Sequence, residues 1–170
     1  DVVNQLSRRI EPKIQSIELG PFVEELAGEI NESRLTQANI NVEIPDNCTI
    51  QFDPANLKQV LTNIIENGLR YSEAETGSAL VELSLGSHRE DRGYFLDIKD
   101  QGPGIARDQV NEIFNPFYTT GSGGIGLGLY VAKELCEVNF AAIHYLYPDP
   151  ESDQGVFRVS FRVSEELSWE

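Results

Sequence analysis

Between Asp100 and Leu129 the chain reads DQGPGIARDQVNEIFNPFYTTGSGGIGLGL, an acidic residue followed by two glycine clusters with a mixed stretch between them. Glycine loses more conformational freedom on folding than any other residue, so such clusters mark places where the backbone must turn with positive φ or come close to something. The segment leading in, YFLDIKD, alternates: Leu96, Ile98 and Asp100 share one strand face, Phe95, Asp97 and Lys99 the other. Asp100 therefore points toward a core, where a carboxylate is costly without a donor; a purine amino group or a held water would serve. The turn at Gly102-Pro103-Gly104 allows close backbone approach and implies a pocket floor.

The second cluster, GSGGIGLGL from Gly121 to Leu129, runs into YVAKELCEV, where Leu127, Val131, Leu135 and Val138 repeat at helical spacing. Glycine amides at a helix N-terminus attract phosphate through unpaired N–H groups and the helix dipole. The same residues contain G-x-G-x-x-G, Gly121 to Gly126, but no strand leads directly into them and no ribose-binding acid follows at the dinucleotide-fold distance. The phosphate-loop pattern G-x-x-x-x-G-K-[ST] does not occur.

A third signal lies upstream in PANLKQVLTNIIENGLRYS, which follows Asp53 as N-cap with Pro54 at the first helical position. Leu57, Val60, Leu61, Ile64 and Ile65 form its buried stripe. Asn63, Asn67, Arg70 and Tyr71 fall within about a quarter-turn of one another beside that stripe, at ~100° per residue. Asparagine is a mediocre helix former, so two of them a turn apart are not there for propensity. Their carboxamide oxygens suit Mg²⁺, which keeps several waters and takes further oxygens from phosphates.

Composition narrows the partners. A formal net charge of −15 opposes nonspecific binding to nucleic acid or an anionic membrane surface, so any phosphate must be held by local donors. No apolar run is long enough to span a bilayer. Cys48 and Cys136 lie far apart and outside metal spacing, and read as reduced thiols. His88, in SHREDRG, and His144, in AAIHYLY, read as surface and strand residues rather than catalysts.

NIIENGLRYS, DQGPG, IFNPFYTT and GIGLGL, in that order and at these separations, resemble the N, G1, F and G2 boxes of sensor histidine kinases. The resemblance is to their catalytic, ATP-binding domain, of the GHKL superfamily. It implies an α/β (α+β) two-layer sandwich, the Bergerat fold, whose mixed sheet is covered by helices on one face and whose ATP sits under a mobile lid. ALVELSL, GYFLDIKD, AAIHYLY and GVFRVSFRV supply most of that sheet, with Phe157, Val159, Phe161 and Val163 inward and Arg158 and Arg162 outward. INVEI and CTIQF are two further short strands around the turn Pro45-Asp46-Asn47, and PFVEELAGEINESRL is an amphipathic helix opening at Pro21, with Phe22, Val23, Leu26 and Ile30 toward a core.

The resemblance also implies roles. Asn67 becomes the Mg²⁺ ligand, with Asn63 supporting the phosphate and metal end, Arg70 near the phosphates and Tyr71 beside the nucleotide. Asp100 accepts from the adenine amino group, and Gly102, Gly104 and Ile105 shape the base pocket. Phe114 and Phe117 match the F box, followed by Thr119 and Thr120. Gly124, Gly126, Leu127 and Gly128 match the phosphate-side turn. Residues 107–123 become the lid, hinged at Gly121, Gly123 and Gly124 and anchored by Phe114 and Phe117. ATP and Mg²⁺ are the implied ligands.

The F box resembles the nitrogen-regulation branch most, with departures. Gly121 stands where that branch has a basic residue, and DQGVF puts Gly155 where a threonine or serine is usual. VNFAA, residues 138–142, replaces the usual Gly-Gly helix ending, as in sensor kinases of type IV pilus genes. The expected organisation is a dimerisation-helix stub and linker over 1–20, with Val3, Leu6 and Ile10 on its stripe, the ATP-binding domain over 21–163 and a tail over 164–170. No histidine stands in an acceptor motif, so the acceptor lies on a separate dimerisation domain. The partners implied are that domain and a cognate response regulator, with no nucleic acid and no direct membrane contact, in a cytoplasmic domain of an inner-membrane sensor. Two other readings share the fold: an ATP hydrolase, which carries glutamate where Asn63 stands, and a non-enzymatic nucleotide-dependent switch.

Overall fold

Seven strands and three helices make up the computed structural model over the residues it describes, 11–90, 93–119 and 126–162. Strand β1 (Gln15–Glu18) leads into helix α1 (Leu19–Ser33), β2 (Asn39–Glu43), β3 (Thr49–Phe52) and helix α2 (Pro54–Thr76). Then come β4 (Leu80–Ser87), β5 (Tyr94–Asp100), helix α3 (Gly128–Val138), β6 (Ala142–Leu146) and β7 (Val156–Ser160).

The five-stranded sheet has the order β2-β4-β5-β7-β6, parallel between β2 and β4 and antiparallel elsewhere. Period-2 alternation gives it two unlike faces. Val81, Leu83, Leu96, Ile98, Ile143, Phe157 and Val159 are buried under the helices, whereas Glu82, Ser84, Lys99 and His144 are exposed. Such a mixed sheet with helices on one face is the α/β sandwich expected. On the open face Arg158 forms a two-pronged pair with Asp97, 2.7 and 2.8 Å, and lies over the Phe95 ring.

The N-terminal part differs from the sequence reading. Gln15–Glu18 pair antiparallel with β3, Ile17 is buried and Leu19 is fully buried, so the packed unit includes residues assigned to the linker. Helix α1 begins at Leu19, which places Pro21 within its first turn. INVEI and CTIQF lie in different sheets: β2 is the edge of the large one, and β3 pairs with β1. Val3, Leu6 and Ile10, and the tail over 164–170 with Val163, lie outside the described residues.

Helix α2 is well bounded. The Asp53 carboxylate accepts from the amides of Ala55 and Asn56, Pro54 opens the first turn, and Gly77 ends it in the left-handed region at φ 80. Asn139, buried just past the end of α3, accepts from the Asp53 amide at 2.8 Å and donates to Leu135 O at 2.7 Å. Its side chain thus fastens the end of α3 to the start of α2.

Candidate nucleotide-binding site

A cavity of about 300 Å³ opens between α2, the start of α3, the loop after β5 and the ends of β6 and β7. Helix α2 supplies Asn63, Glu66, Asn67, Arg70 and Tyr71 to its wall. Gly68 sets their distance from the sheet: a Cβ there would lie 2.9 Å from Val81 Cγ2 and 3.2 Å from Asp100 Cβ. Only glycine lets the helix come this near, and that approach brings the polar flank of α2 beside Asp100.

Asp100 ends β5 half-buried, its Oδ1 accepting from the Gly102 amide at 2.8 Å. Burial raises its pKa above the ordinary carboxylate value, opposed by that Gly102 bond. Buried Ser72 ties the floor together, donating to Leu80 O and accepting from the Gln101 amide. Gly104, at φ 83, lies against the backbone of Asp153, leaving no room for a Cβ. The loop is held to the β6–β7 connection by Ile105 N–H to Asp153 O, Tyr147 O–H to Ile105 O and the Gln154 amide to Gly102 O. Arg107 closes the far side, donating to the carbonyls of Asp149, Pro150 and Ser152 and lying 4.1 Å over the Tyr147 ring.

Residues 106–118 coil through successive turns whose amides bond three residues back. Ile113 is buried and lines the cavity, Phe114 packs edge-on to Phe157, and Tyr118 donates to Gln109 Oε1 at 3.1 Å. Phe117 N–H donates to Gly126 O, and Gly126, at φ 78, packs back to back with Phe117 and Tyr118.

At the other end Asn63 Nδ2 donates to Gly128 O at 2.9 Å, while its Oδ1 accepts from Gln59. No side chain caps α3 and no acidic residue stands in its first turn, so its positive end faces the cavity through Gly126, Leu127, Gly128 and Leu129. Asn67 Oδ1 accepts from Arg70 Nη2 at 2.8 Å.

Of the residues singled out in the sequence, Asn63, Asn67, Arg70, Tyr71, Asp100, Gly104, Ile105, Thr119, Gly126, Leu127 and Gly128 line this one cavity. Gly102 stands behind it, buried between Asp100 and Tyr71. Phe117 is 65% exposed with φ 67, whereas Ile113 is buried and Phe114 packs on Phe157. Thr120, Gly121, Gly123 and Gly124 lie outside the described residues. The sequence reading missed Gln109, Ile113, Tyr118, Tyr145 and Phe157 as cavity residues.

The family model described as "Histidine kinase-, DNA gyrase B-, and HSP90-like ATPase" matches residues 52–167. The chain belongs to that family.

Among members of the histidine kinase-, gyrase B- and HSP90-like family, the sensor protein kinase PilS of Pseudomonas aeruginosa is 40% identical over 170 residues, 98% of this chain and 31% of that protein. PilS accords with the pilus sensor-kinase likeness read from VNFAA. The histidine-protein kinase BaeS of Escherichia coli is 31% identical over 130 residues, 72% of this chain and 27% of that protein. The chain thus spans less than a third of either relative. The mycobacterial sensor histidine kinase MprB superposes with a TM-score of 0.72 at 19% identity, covering 86% of this chain and 95% of that one. Full-length ShkA, crystallised with AMPPNP, gives 0.70 at 23% identity, covering 89% of this chain and 31% of that one. These two likenesses establish the fold. The family match and the sensor-kinase relatives make the chain an ATP-binding catalytic domain of the two-component sensor histidine kinase type.

Proposed function

We propose that this domain holds Mg-ATP with its γ-phosphate presented to a histidine on a separate dimerisation domain, the first step of a relay to a cognate response regulator. The observation that carries the reading is the polarity of this cavity. Asp100 lies against α2 at Gly68, and the uncapped start of α3 meets α2 more than a turn earlier, at Asn63. A purine with an exocyclic amine suits the first, and a polyphosphate suits the second.

In this reading Asp100 accepts from the adenine 6-amino group, while Gly104 and Ile105 form the wall against the base and Gly102 props Asp100. Tyr71 packs beside the nucleotide, and Thr119, Thr120, Gly124, Gly126, Leu127 and Gly128 bound the phosphates. The donor set suits Mg²⁺ rather than a metal needing a protein cage: few side-chain oxygens line the cavity along α2, those of Asn63, Glu66 and Asn67, and Asn67 Oδ1, now accepting from Arg70, would hold the ion. No cluster of three or more His, Cys, Asp or Glu comes together among the described residues. Bound there, Mg²⁺ would neutralise charge on the phosphate oxygens. Arg70 is placed to leave Asn67 for a phosphate oxygen, and Asn63 steadies the α3 terminus. The incoming imidazole nitrogen forms a bond to the γ-phosphorus as the bond to the β–γ bridging oxygen breaks, and ADP leaves; this domain's share is alignment and charge.

No helix among the described residues is long and apolar enough to cross a membrane, which suits a cytoplasmic domain of an inner-membrane sensor. The hydrolase reading finds little support, because Asn63 spends its amide on Gly128 O and has no basic group, while Glu66 is exposed at the rim. Dimerisation helices supplied as a separate polypeptide should become labelled from γ-labelled ATP in the presence of this domain, and histidine→Gln in those helices should abolish the label. Brisk phosphate release by the domain alone, lost in Asn67→Ala, would favour hydrolysis instead.

A further inference from the structure

One hydroxyl in the cavity has no part in the roles above. Tyr145, on β6, is 9% exposed and lines the cavity together with Asp100. Its ring occupies the space over Gly155: a Cβ at 155 would lie 2.7 Å from Tyr145 Cε1, 2.8 Å from Cζ and 2.3 Å from Leu146 O. No other residue fits there, so glycine at 155 and tyrosine at 145 form one feature. Gly155 N–H donates to Tyr145 Oη at 2.8 Å, and edge-on contacts with Phe157 and Tyr147 fix the ring. The acceptor available to the phenol proton, Asp153 O, is 3.5 Å away, longer than the ~2.5–3.0 Å of a good O–H···O bond. That proton is free to turn toward the cavity. Burial holds the phenol's pKa up at about 12, and the charge of Asp100 adds to the shift, so the hydroxyl stays a donor.

We propose that Tyr145 is a base-reading residue whose hydroxyl donates to adenine N1 beside the 6-amino group taken by Asp100. A donor next to an acceptor matches the N1 and 6-amino edge of adenine; guanine, with N1–H and O6, presents the reverse. The inference rests on the ATP-binding reading and deepens it.

Calorimetric titration of the parent domain and of Tyr145→Phe with ATP and with 1-deaza-ATP, which lacks N1, tests it. The parent should bind ATP about tenfold more tightly than 1-deaza-ATP, the value of one well-placed hydrogen bond in a desolvated site. Tyr145→Phe should lose that factor for ATP and leave 1-deaza-ATP unchanged. A parent that binds both nucleotides alike would overturn the proposal even if the variant failed to fold. Equal losses for both nucleotides in a folded Tyr145→Phe would also overturn it, reducing Tyr145 to packing. A parent that binds neither nucleotide would instead overturn the ATP-binding reading beneath it.

Discussion

The guanidinium of Arg70 donates to the carboxamide oxygen of Asn67 at 2.8 Å, from the next turn of the same helix. The oxygen assigned to the metal is therefore already paired with a cation, and the two residues should have opposite signatures. Asn67→Ala should remove most of the Mg²⁺-dependent part of ATP affinity, roughly tenfold or more, and change affinity in chelator little. Arg70→Met should weaken binding chiefly in chelator, where no metal offsets the phosphate charge. Calorimetry in Mg²⁺ and in chelator separates the two; identical ratios in both variants would refute the assignment.

Asp100 should trade stability for recognition. Its folded pKa is raised by burial, so the folded domain holds the proton more tightly than the unfolded chain. Its contribution is fully present below the unfolded pKa and is lost as pH rises through the folded value. Asp100→Asn should accordingly melt higher than the parent near pH 7, by a margin that grows from acid pH and levels off above the raised pKa. The same change should weaken ATP relative to GTP. A melting difference independent of pH would mean that the carboxylate carries no such penalty.

Phe140 follows α3 at φ 58 with its ring 62% exposed, where a helix commonly ends in left-handed glycine. The left-handed backbone costs a bulky residue about 1–3 kcal/mol, offset by ~0.5–1 kcal/mol from the Arg162 guanidinium over the ring. Phe140→Gly should stabilise the domain by about 1 kcal/mol, raising Tm by about 2–4 °C. ATP affinity should stay the same, since the residue does not line the cavity. A drop in Tm would show that the ring contact outweighs the backbone.

Nucleotide binding should slow amide exchange across residues 107–119, where few backbone bonds other than local turns hold the chain. Phe114→Ala should reduce that protection and speed nucleotide release several-fold, through loss of the edge-on contact with Phe157. Phe117→Ala, at an exposed side chain, should leave release nearly unchanged. Exchange indifferent to ATP would make this segment part of the static core.

The polar flank of α2, the alternation of β4, β5 and β7 and the start of α3 were legible because each repeats at a period set by local geometry. Strand β1 was not: QSIE is four residues with a single buried side chain, Ile17, too short to show a period. INVEI and CTIQF look like neighbours around a turn, but pairing partners are chosen by distant segments, and β2 runs parallel to β4 instead. Within the site, the boxes found the polar groups and missed the apolar floor. Phe157 reads as an ordinary core residue and nothing singles out Ile113 or Tyr145, since only tertiary packing turns one of their faces to a cavity. Gly155 was the available clue, because a glycine inside a strand pattern often marks a neighbour that needs the space.

Asn63 holds the first carbonyl of α3 while Asn139 holds the amide of Asp53, so two asparagine bridges pin α3 against the first half of α2 near both of its ends. The two bridges oppose shear of the pair, and residues 106–119 are held beside it largely by local turns. Grafting residues 106–119 from a relative should therefore transplant that relative's nucleotide residence time and leave the host's choice of base intact. Two properties that natural selection must tune, how long the signal's fuel is held and which fuel is accepted, would then be inherited from separate stretches of one domain.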